Sequence, residues 1–486
     1  MKSDNMSVAT RVVKNSSLLL FASIINNIMS FILTLFTARY LGTYNFGLIS
    51  SANSLVGVFG IFCDLGLSTY AIREVSRNNE LTDFYFGTTL VFRILFTVIT
   101  FIVYALFVIN SNFTQEGINV MILFGIYMIF NSFVLFFYSL FQSNENMQYQ
   151  TIGNAIYSIS VLLIILIMIF DNCNVTIVAA GYPIAMFLSL LYSLYITVKY
   201  YPRFKLCRKP KFIKKLFIKG IPFGITAVFT SIYFWIALIV LTFLSGSVAV
   251  GLFSSSQKLL LVVAAIFTLL SNAVFPVMSE LFTVDKEKLA HLFHKLLKFM
   301  LMIGLPMAIG CFIFDTEIIN IIYGAEYLEG AITLSILIWA GVFMLLSGMC
   351  STLLGSINKQ FTVTKIAAIG AIVSIILNCI LISLYSYIGA SISTVFTEFI
   401  ILFMMMSVIS RTEFKLPVKK AVLPVIQIII ASLIMGVCLI LLNQPFLVSF
   451  PLAIIIYVIA LFVTRAINKE DREIILDMIN QLRNKI

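Results

Sequence analysis

The chain has 486 residues, of which 61% are hydrophobic and only 11% charged, and its mean hydropathy is +1.06. Soluble domains carry roughly 25% charged residues, so this chain lacks the charge to cover a water-facing surface of its size. That excludes a cytosolic enzyme, a secreted disulfide scaffold, a disordered protein and a nucleic-acid-binding domain. The excess of 32 Lys+Arg over 21 Asp+Glu is then read first as a membrane-topology signal.

A spanning helix needs about 20 mostly apolar residues. Helices are expected because lipid leaves the backbone to satisfy its own hydrogen bonds. In chain order, six spans are predicted at 16–38, 46–70, 85–109, 119–141, 151–170 and 175–198. The first is too long for a signal-peptide core and no small-residue cleavage site follows it. A basic segment, 199–220, comes next. Six more spans are predicted at 221–244, 249–275, 298–314, 331–354, 364–385 and 387–409, and a final pair at 421–442 and 447–464. The expected fold is an all-α integral membrane protein with fourteen transmembrane helices. Its domains are an N-terminal six-helix lobe (1–198), a cytoplasmic linker (199–220), a C-terminal six-helix lobe (221–409), helices 13 and 14 (410–464) and a tail (465–486).

The positive-inside rule supports this count. With the N-terminus (Lys2, Arg11, Lys14) placed in the cytoplasm, 29 of the 32 basic residues fall on the cytoplasmic side. They lie at Arg73 and Arg77, along Lys199–Lys219 and Lys286–Lys298, at Lys359 and Lys365, from Arg411 to Lys420, and in the tail from Arg465. The outer loops (Asn110–Ile118, Asp171–Asn174, Ser245–Val248, Asp315–Gly330, Tyr385–Ser386, Asn443–Phe446) carry none. One segment assigned inside, Gln142–Gln150, also lacks Lys and Arg. Both termini are therefore expected in the cytoplasm of a cell-membrane protein. A weak internal repeat accompanies the two halves. At an offset of 204 residues, 42–55 (GTYNFGLISSANSL) matches 246–259 (GSVAVGLFSSSQKL) at six of fourteen positions, Gly42/Gly246, Gly47/Gly251 and Ser50/Ser254 among them. Parallel halves related by an axis along the membrane normal are a known transporter plan.

No enzyme constellation is found. There is no Walker A loop, dinucleotide fingerprint or nucleophile elbow, so ATP hydrolysis by a P-loop is not expected. An ion gradient, the membrane potential or the substrate gradient would supply the energy, with H⁺ or Na⁺ as the coupling ion and no other cofactor. His291 and His294, three apart in a charged segment, read as a solvated helix face. The seven cysteines, Cys63, Cys173, Cys207, Cys311, Cys350, Cys379 and Cys438, are scattered singly and read as small buried hydrophobes.

Ionisable residues inside the bilayer are costly and point to function. Five remain after the loops are removed: Arg39, Arg93, Lys258, Asp64 and Glu398. At about 1.5 Å per residue, Lys258 lies roughly 14 Å and Glu398 about 17 Å from the outer starts of their spans. Arg39 sits at the outer end of span 1, where it is long enough to snorkel to the headgroups. Asp64 and Arg93, on neighbouring helices at similar depth, are placed to form a structural ion pair. Lys258 is too deep to snorkel easily, and Glu398 is either a proton site or a hydrogen-bonded neutral acid. Together they imply a polar cavity between the halves, net positive and suited to an anion of several charges such as a diphosphate. Trp235, deep in span 7, is either a packing residue or a stacking surface for a sugar.

The segment TARYLGTYNFGLISSANSLVGVFGIFCDLGLSTYAIREVSRN (37–78) resembles the N-terminal pattern of polysaccharide-repeat-unit flippases: A-R-Y-L-G, then F-G, then D-L-G-L and R-E. VGLFSSSQKL (250–259), LLSNAVFPVMSEL (269–281), YGAEYLEGA (323–331) and ILNCILISLYSYIGASISTVFTE (376–398) resemble that family too. The family is part of the multidrug/oligosaccharidyl-lipid/polysaccharide exporter superfamily. The resemblance implies two six-helix lobes working by alternating access, and a polyprenyl-pyrophosphate-linked oligosaccharide moved from inner to outer leaflet for surface polysaccharide biosynthesis. It implies that Arg39 and Lys258 match positions where the family places cations for the pyrophosphate; Arg93, also a candidate, has no such motif support. Asp64 and Glu398 are candidates for ion coupling or gating. The implied partners are the lipid-linked substrate, membrane lipids, and a polysaccharide polymerase and glycosyltransferases, with no nucleic acid and a monomeric protein. The competing readings are a cation-coupled multidrug exporter of the same superfamily and a non-transporting scaffold for polymerases.

Overall fold

The computed structural model describes residues 8–201, 204–205, 209–415, 418–442 and 444–467. Lys2, Arg203, Cys207, Arg208 and the tail from 468 lie outside the described residues. All the regular elements described are helical. In order they are α1 (Val8–Phe59), α2 (Leu67–Val75), α3 (Thr82–Ile109), α4 (Gln115–Ser143), α5 (Met147–Phe170), α6 (Val175–Tyr200), α7 (Pro210–Leu244) and α8 (Gly246–Val284). Then follow α9 (Lys286–Ile313), α10 (Asp315–Tyr323), α11 (Ala331–Ser356), α12 (Gln360–Ile409), α13 (Val418–Leu442) and α14 (Phe446–Val463).

Among the described residues, twelve helices are long and apolar enough to cross a membrane. Two of them are each broken once, which gives fourteen apolar segments. The break in α1 is Gly42 (φ 71°, ψ 178°), and the chain turns back there. Before it, Asn26 accepts from Ser158 Oγ (2.8 Å) and the Tyr40 hydroxyl donates to Cys173 O (2.8 Å). After it, Tyr44 meets Thr114 (3.5 Å) and Gly60 lies beside Met128, so the chain descends along α4. The break in α12 is Ser386 (φ 51°, ψ −131°). A Cβ on Gly389 would lie 2.0 Å from Leu381 O, an approach that requires the two arms to fold on each other.

Polar residues at the turns start several helices by accepting backbone N–H groups. Thr114 accepts from Gly117 (3.2 Å), Asn174 from Ile177 (3.0 Å) and Asp285 from Lys288 (3.0 Å). Such caps satisfy N–H groups that have no partner within the helix. Between the segments the structure departs from expectation in three places. Span 2, expected as one helix over 46–70, is interrupted by a 3₁₀ turn at Gly60–Cys63 and restarts as α2. The helix expected over 298–314 begins earlier, as α9 at Lys286, and takes in the basic stretch 286–297 with the helix face of His291 and His294. Asp315–Gly330 folds as α10 followed by a 3₁₀ helix at Ala325–Gly330.

The helices expose many large apolar side chains, Phe170 at 81% and Leu441 at 77% among them. A surface of that kind is at home in hydrocarbon and not in water. The chain divides into two compact units. Unit one comprises the described residues of Met1–Lys258 with Ala367–Ser393; unit two comprises those of Leu259–Ile366 and Thr394–Ile486. In unit one, one core gathers Ile49, Leu55, Tyr104, Phe124 and Val178, and a second gathers Tyr70, Phe86, Phe136 and Phe141. In unit two, α13 packs on α9 and α14, with Tyr457 donating to Met302 O (2.8 Å).

Within unit one, residues matched by the internal repeat touch one another. Ser50 and Ser254 are joined by a hydrogen bond (3.1 Å), as residues on a twofold axis would be. A Cβ on Gly47 would sit 1.8 Å from Ser247 O and 3.0 Å from the Gly251 nitrogen, so only glycine allows this backbone contact. The opposite end of unit one carries basic residues. Lys205 donates its backbone N–H to Asp83 O (3.0 Å), and the Lys215 ammonium lies 3.9 Å from Glu74. The six described cysteines are free thiols; Cys63 and Cys350 are buried as expected, whereas Cys379 is exposed.

Candidate functional site

The D-L-G-L sequence at 64–67 builds the floor of a cavity in unit one. Leu65 (φ 49°) and Gly66 (φ 80°) are both left-handed, which ends the 3₁₀ turn and redirects the chain into α2. Gly66 is pressed against α7: a Cβ there would lie 2.3 Å from the Gly224 nitrogen. Asp64, freed from the helix by this break, accepts from Ser68 N–H (3.3 Å) and Ser68 Oγ (2.5 Å). A carboxylate just before α2, accepting from the Ser68 N–H of its first turn, suits the partial positive charge of a helix N-terminus.

Arg93 reaches Asp64 from α3. It is 4% exposed, and its Nη1 pairs with Asp64 Oδ1 and donates to Ser68 Oγ (2.8 Å). Its Nε donates to Ser132 Oγ (3.1 Å), and its guanidinium carbon lies 6.0 Å from the Phe136 ring centre. Ser132 is further bonded to Thr97 (3.0 Å). A buried charge must be paired and hydrogen-bonded to be tolerated, and Arg93 is both.

Above this network lies a cavity of about 530 Å³. α4 supplies one wall through Tyr127, Asn131, Leu135, Tyr138 and Gln142, a set spaced to share one helix face. α7 supplies another through Phe223, Ala227, Ser231 and Trp235, at four-residue spacing. Asn53 and Gly57 contribute from α1. A Cβ on Gly57 would lie 2.2 Å from Trp235 Nε1, so the glycine makes room for the indole. Gln150, at the start of α5, accepts from Gln142 Nε2 (2.9 Å) and closes the far end. The lining contains two charged residues, Asp64 and Arg93, and they neutralise each other.

Of the five charged residues singled out from the sequence, the structure brings together Asp64 and Arg93. Arg39 is exposed, three residues before the turn at Gly42. Lys258 is half-buried, twelve residues after Gly246 in α8. Neither lines the unit-one cavity. Glu398 is buried at 3% exposure in unit two. Trp235 lines the cavity instead of closing a core. The uncharged amides Asn53, Asn131, Gln142 and Gln150 were not singled out. The polar positions recurring on one face of α4 mark Asn131 and Gln142; Asn53 on α1 and Gln150 on α5 lie outside that pattern.

The sequence profile of the family described as polysaccharide biosynthesis protein matches residues 12–282. A relative described as uncharacterized membrane protein MJ1068, from Methanocaldococcus jannaschii, is 27% identical over 421 residues, covering 81% of this chain and 83% of its own. Capsular polysaccharide biosynthesis protein CapF of Staphylococcus aureus is 24% identical over 400 residues, covering 80% of this chain and 97% of its own. Among solved structures, lipid II flippase MurJ in an inward closed conformation superposes with a TM-score of 0.75 at 18% identity, covering 92% of this chain and 98% of that one. That likeness speaks to the fold. With the profile matching more than half its length, this multi-pass, all-helical membrane chain belongs to the polysaccharide biosynthesis protein family.

Proposed function

We propose that the protein is a flippase. It moves a polyprenyl-pyrophosphate-linked oligosaccharide from the cytoplasmic to the outer leaflet of the cell membrane by alternating access, without ATP hydrolysis. The observation that carries this reading is a polar, aromatic-walled cavity inside a membrane bundle of a polysaccharide biosynthesis family. Sites of this kind use a few convergent polar groups in an otherwise apolar setting. The sharing of a fold with a lipid II flippase supports it. The basic end of unit one is assigned to the cytoplasm by the positive-inside rule, which also places both termini there.

In this proposal Arg39 and Lys258 hold the diphosphate, because a multiply charged anion in low dielectric needs cations. Arg93 is engaged by Asp64, Ser68 and Ser132, so its first role is to anchor the cavity floor. Asp64 and Glu398 remain the candidates for coupling to H⁺ or Na⁺. The protein acts as a monomer beside a polymerase and glycosyltransferases.

Deleting the gene and complementing it tests the reading. The deletion is expected to abolish surface polysaccharide. Lys258→Ala and Arg39→Ala are expected to fail to restore it while the protein remains in the membrane. Normal polymer from both variants at normal protein levels overturns the diphosphate assignment. Unchanged surface glycan in the deletion, together with altered efflux of a cationic dye, replaces the flippase with a multidrug exporter.

A further inference from the structure

The unit-one cavity has the wrong electrostatics for a diphosphate. Its two charges, Asp64 and Arg93, are consumed by each other, so nothing in its lining attracts an anion strongly. What it offers instead is a set of neutral hydrogen-bonding groups. The amides of Asn53 and Asn131 are half-buried, line the cavity and form no hydrogen bond to another described residue. Each such amide has two donors and an acceptor available. A group of this kind inside a membrane protein is costly unless it is satisfied. Tyr127 and Trp235 add aromatic surface beside them.

Neutral donors and acceptors set among aromatic rings are the complement of a sugar ring. Its hydroxyls pair with amides, and its C–H faces pack on aromatic surfaces. The cavity, about 530 Å³, falls in the ~300–1,000 Å³ range of small-molecule sites. It also extends far enough. From Tyr127 to Gln142 along α4 is about 22 Å at 1.5 Å per residue, the length of a chain of several rings. The absence of Lys and Arg from Gln142–Gln150 has a reason on this account. Gln142 and Gln150 wall the end of the cavity, where a cation would bias it toward anions.

We propose that the unit-one cavity is a subsite for uncharged carbohydrate, which holds the sugar rings of the transported unit apart from the cations that hold its diphosphate. The inference rests on the flippase reading.

The protein contains two tryptophans, Trp235 and Trp339, so Trp339→Phe leaves Trp235 as a single fluorescent reporter in the cavity wall. Three probes are titrated into the purified protein: lipid-linked material accumulated by the deletion strain, the oligosaccharide released from it by mild acid, and inorganic diphosphate. Calorimetry on the unsubstituted protein gives a readout independent of the substitution. The expected result is saturable binding of the intact unit and of the released oligosaccharide, with a change in Trp235 emission, and no such change with diphosphate. Asn53→Leu and Asn131→Leu are expected to weaken binding of the released sugar by roughly two- to tenfold each, with the thermal unfolding curve unchanged. A Trp235 response to diphosphate but not to sugar, binding of the intact unit alone, or unchanged sugar affinity in both leucine variants overturns the subsite. Failure to bind all three probes overturns the flippase reading itself.

Discussion

Replacing Asp64 by Asn removes one charge and little else, because the side chains have nearly the same shape. Arg93 would then be a cation at 4% exposure with no counter-charge. Removing one partner of a buried pair destabilises by about 3–5 kcal/mol. The low end applies here, because Ser68 and Ser132 still accept from the guanidinium and the Asp64 side chain is 21% exposed. The expected loss is thus about 3 kcal/mol. Unfolding in mixed detergent micelles measures it for Asp64→Asn, Arg93→Met and the double variant. The double variant removes both charges and is expected to be less destabilised than the sum of the singles, by about 2 kcal/mol, within the 0.5–3 kcal/mol seen for contacting residues. Additivity to within about 0.5 kcal/mol would refute the claim that this pair neutralises the cavity floor.

Two further expectations test other parts of the fold. Gly47→Val places side-chain atoms where even a Cβ would lie 1.8 Å from Ser247 O; overpacking of about 1–3 kcal/mol or more is expected, read as a lower unfolding midpoint, and a stable variant would contradict the close seam between the repeats. At the start of α9, the Lys288 backbone N–H and then its ammonium hold the Asp285 carboxyl below the usual carboxylate range. A depressed carboxylate contributes stability above its unfolded pKa, near 3.9, and loses it as pH falls through the folded value. The gap in unfolding midpoint between the wild type and Asp285→Ala is therefore expected to be constant near neutrality and to shrink below about pH 4; a gap that is unchanged in acid would contradict the cap.

The fourteen apolar segments were legible because lipid enforces them: each stretch must be long, apolar and helical at once. The pairing of Asp64 with Arg93 was legible for a related reason, since two opposite charges at one depth have few other partners. The break between them was not. A window average over 46–70 does not register two left-handed residues, although Asp64-Leu65-Gly66 marks the place once the turn is known. The rest of the cavity escaped because Asn53, Asn131, Gln142 and Gln150 carry no charge and stand out little in an apolar helix. For Asn131 and Gln142, the common face on α4 becomes informative when Tyr127, Asn131, Leu135, Tyr138 and Gln142 are read together as one stripe.

The central claim is that this protein turns a lipid-linked oligosaccharide over in the bilayer. The most direct test uses proteoliposomes holding the purified protein and the lipid-linked material of the deletion strain, with an impermeant sugar-oxidising reagent outside. The inner-leaflet pool is expected to become reagent-accessible with wild-type protein and much more slowly with Lys258→Ala. Accessibility equal to that of protein-free liposomes, with folded protein in the membrane and under imposed H⁺ and Na⁺ gradients, would contradict it.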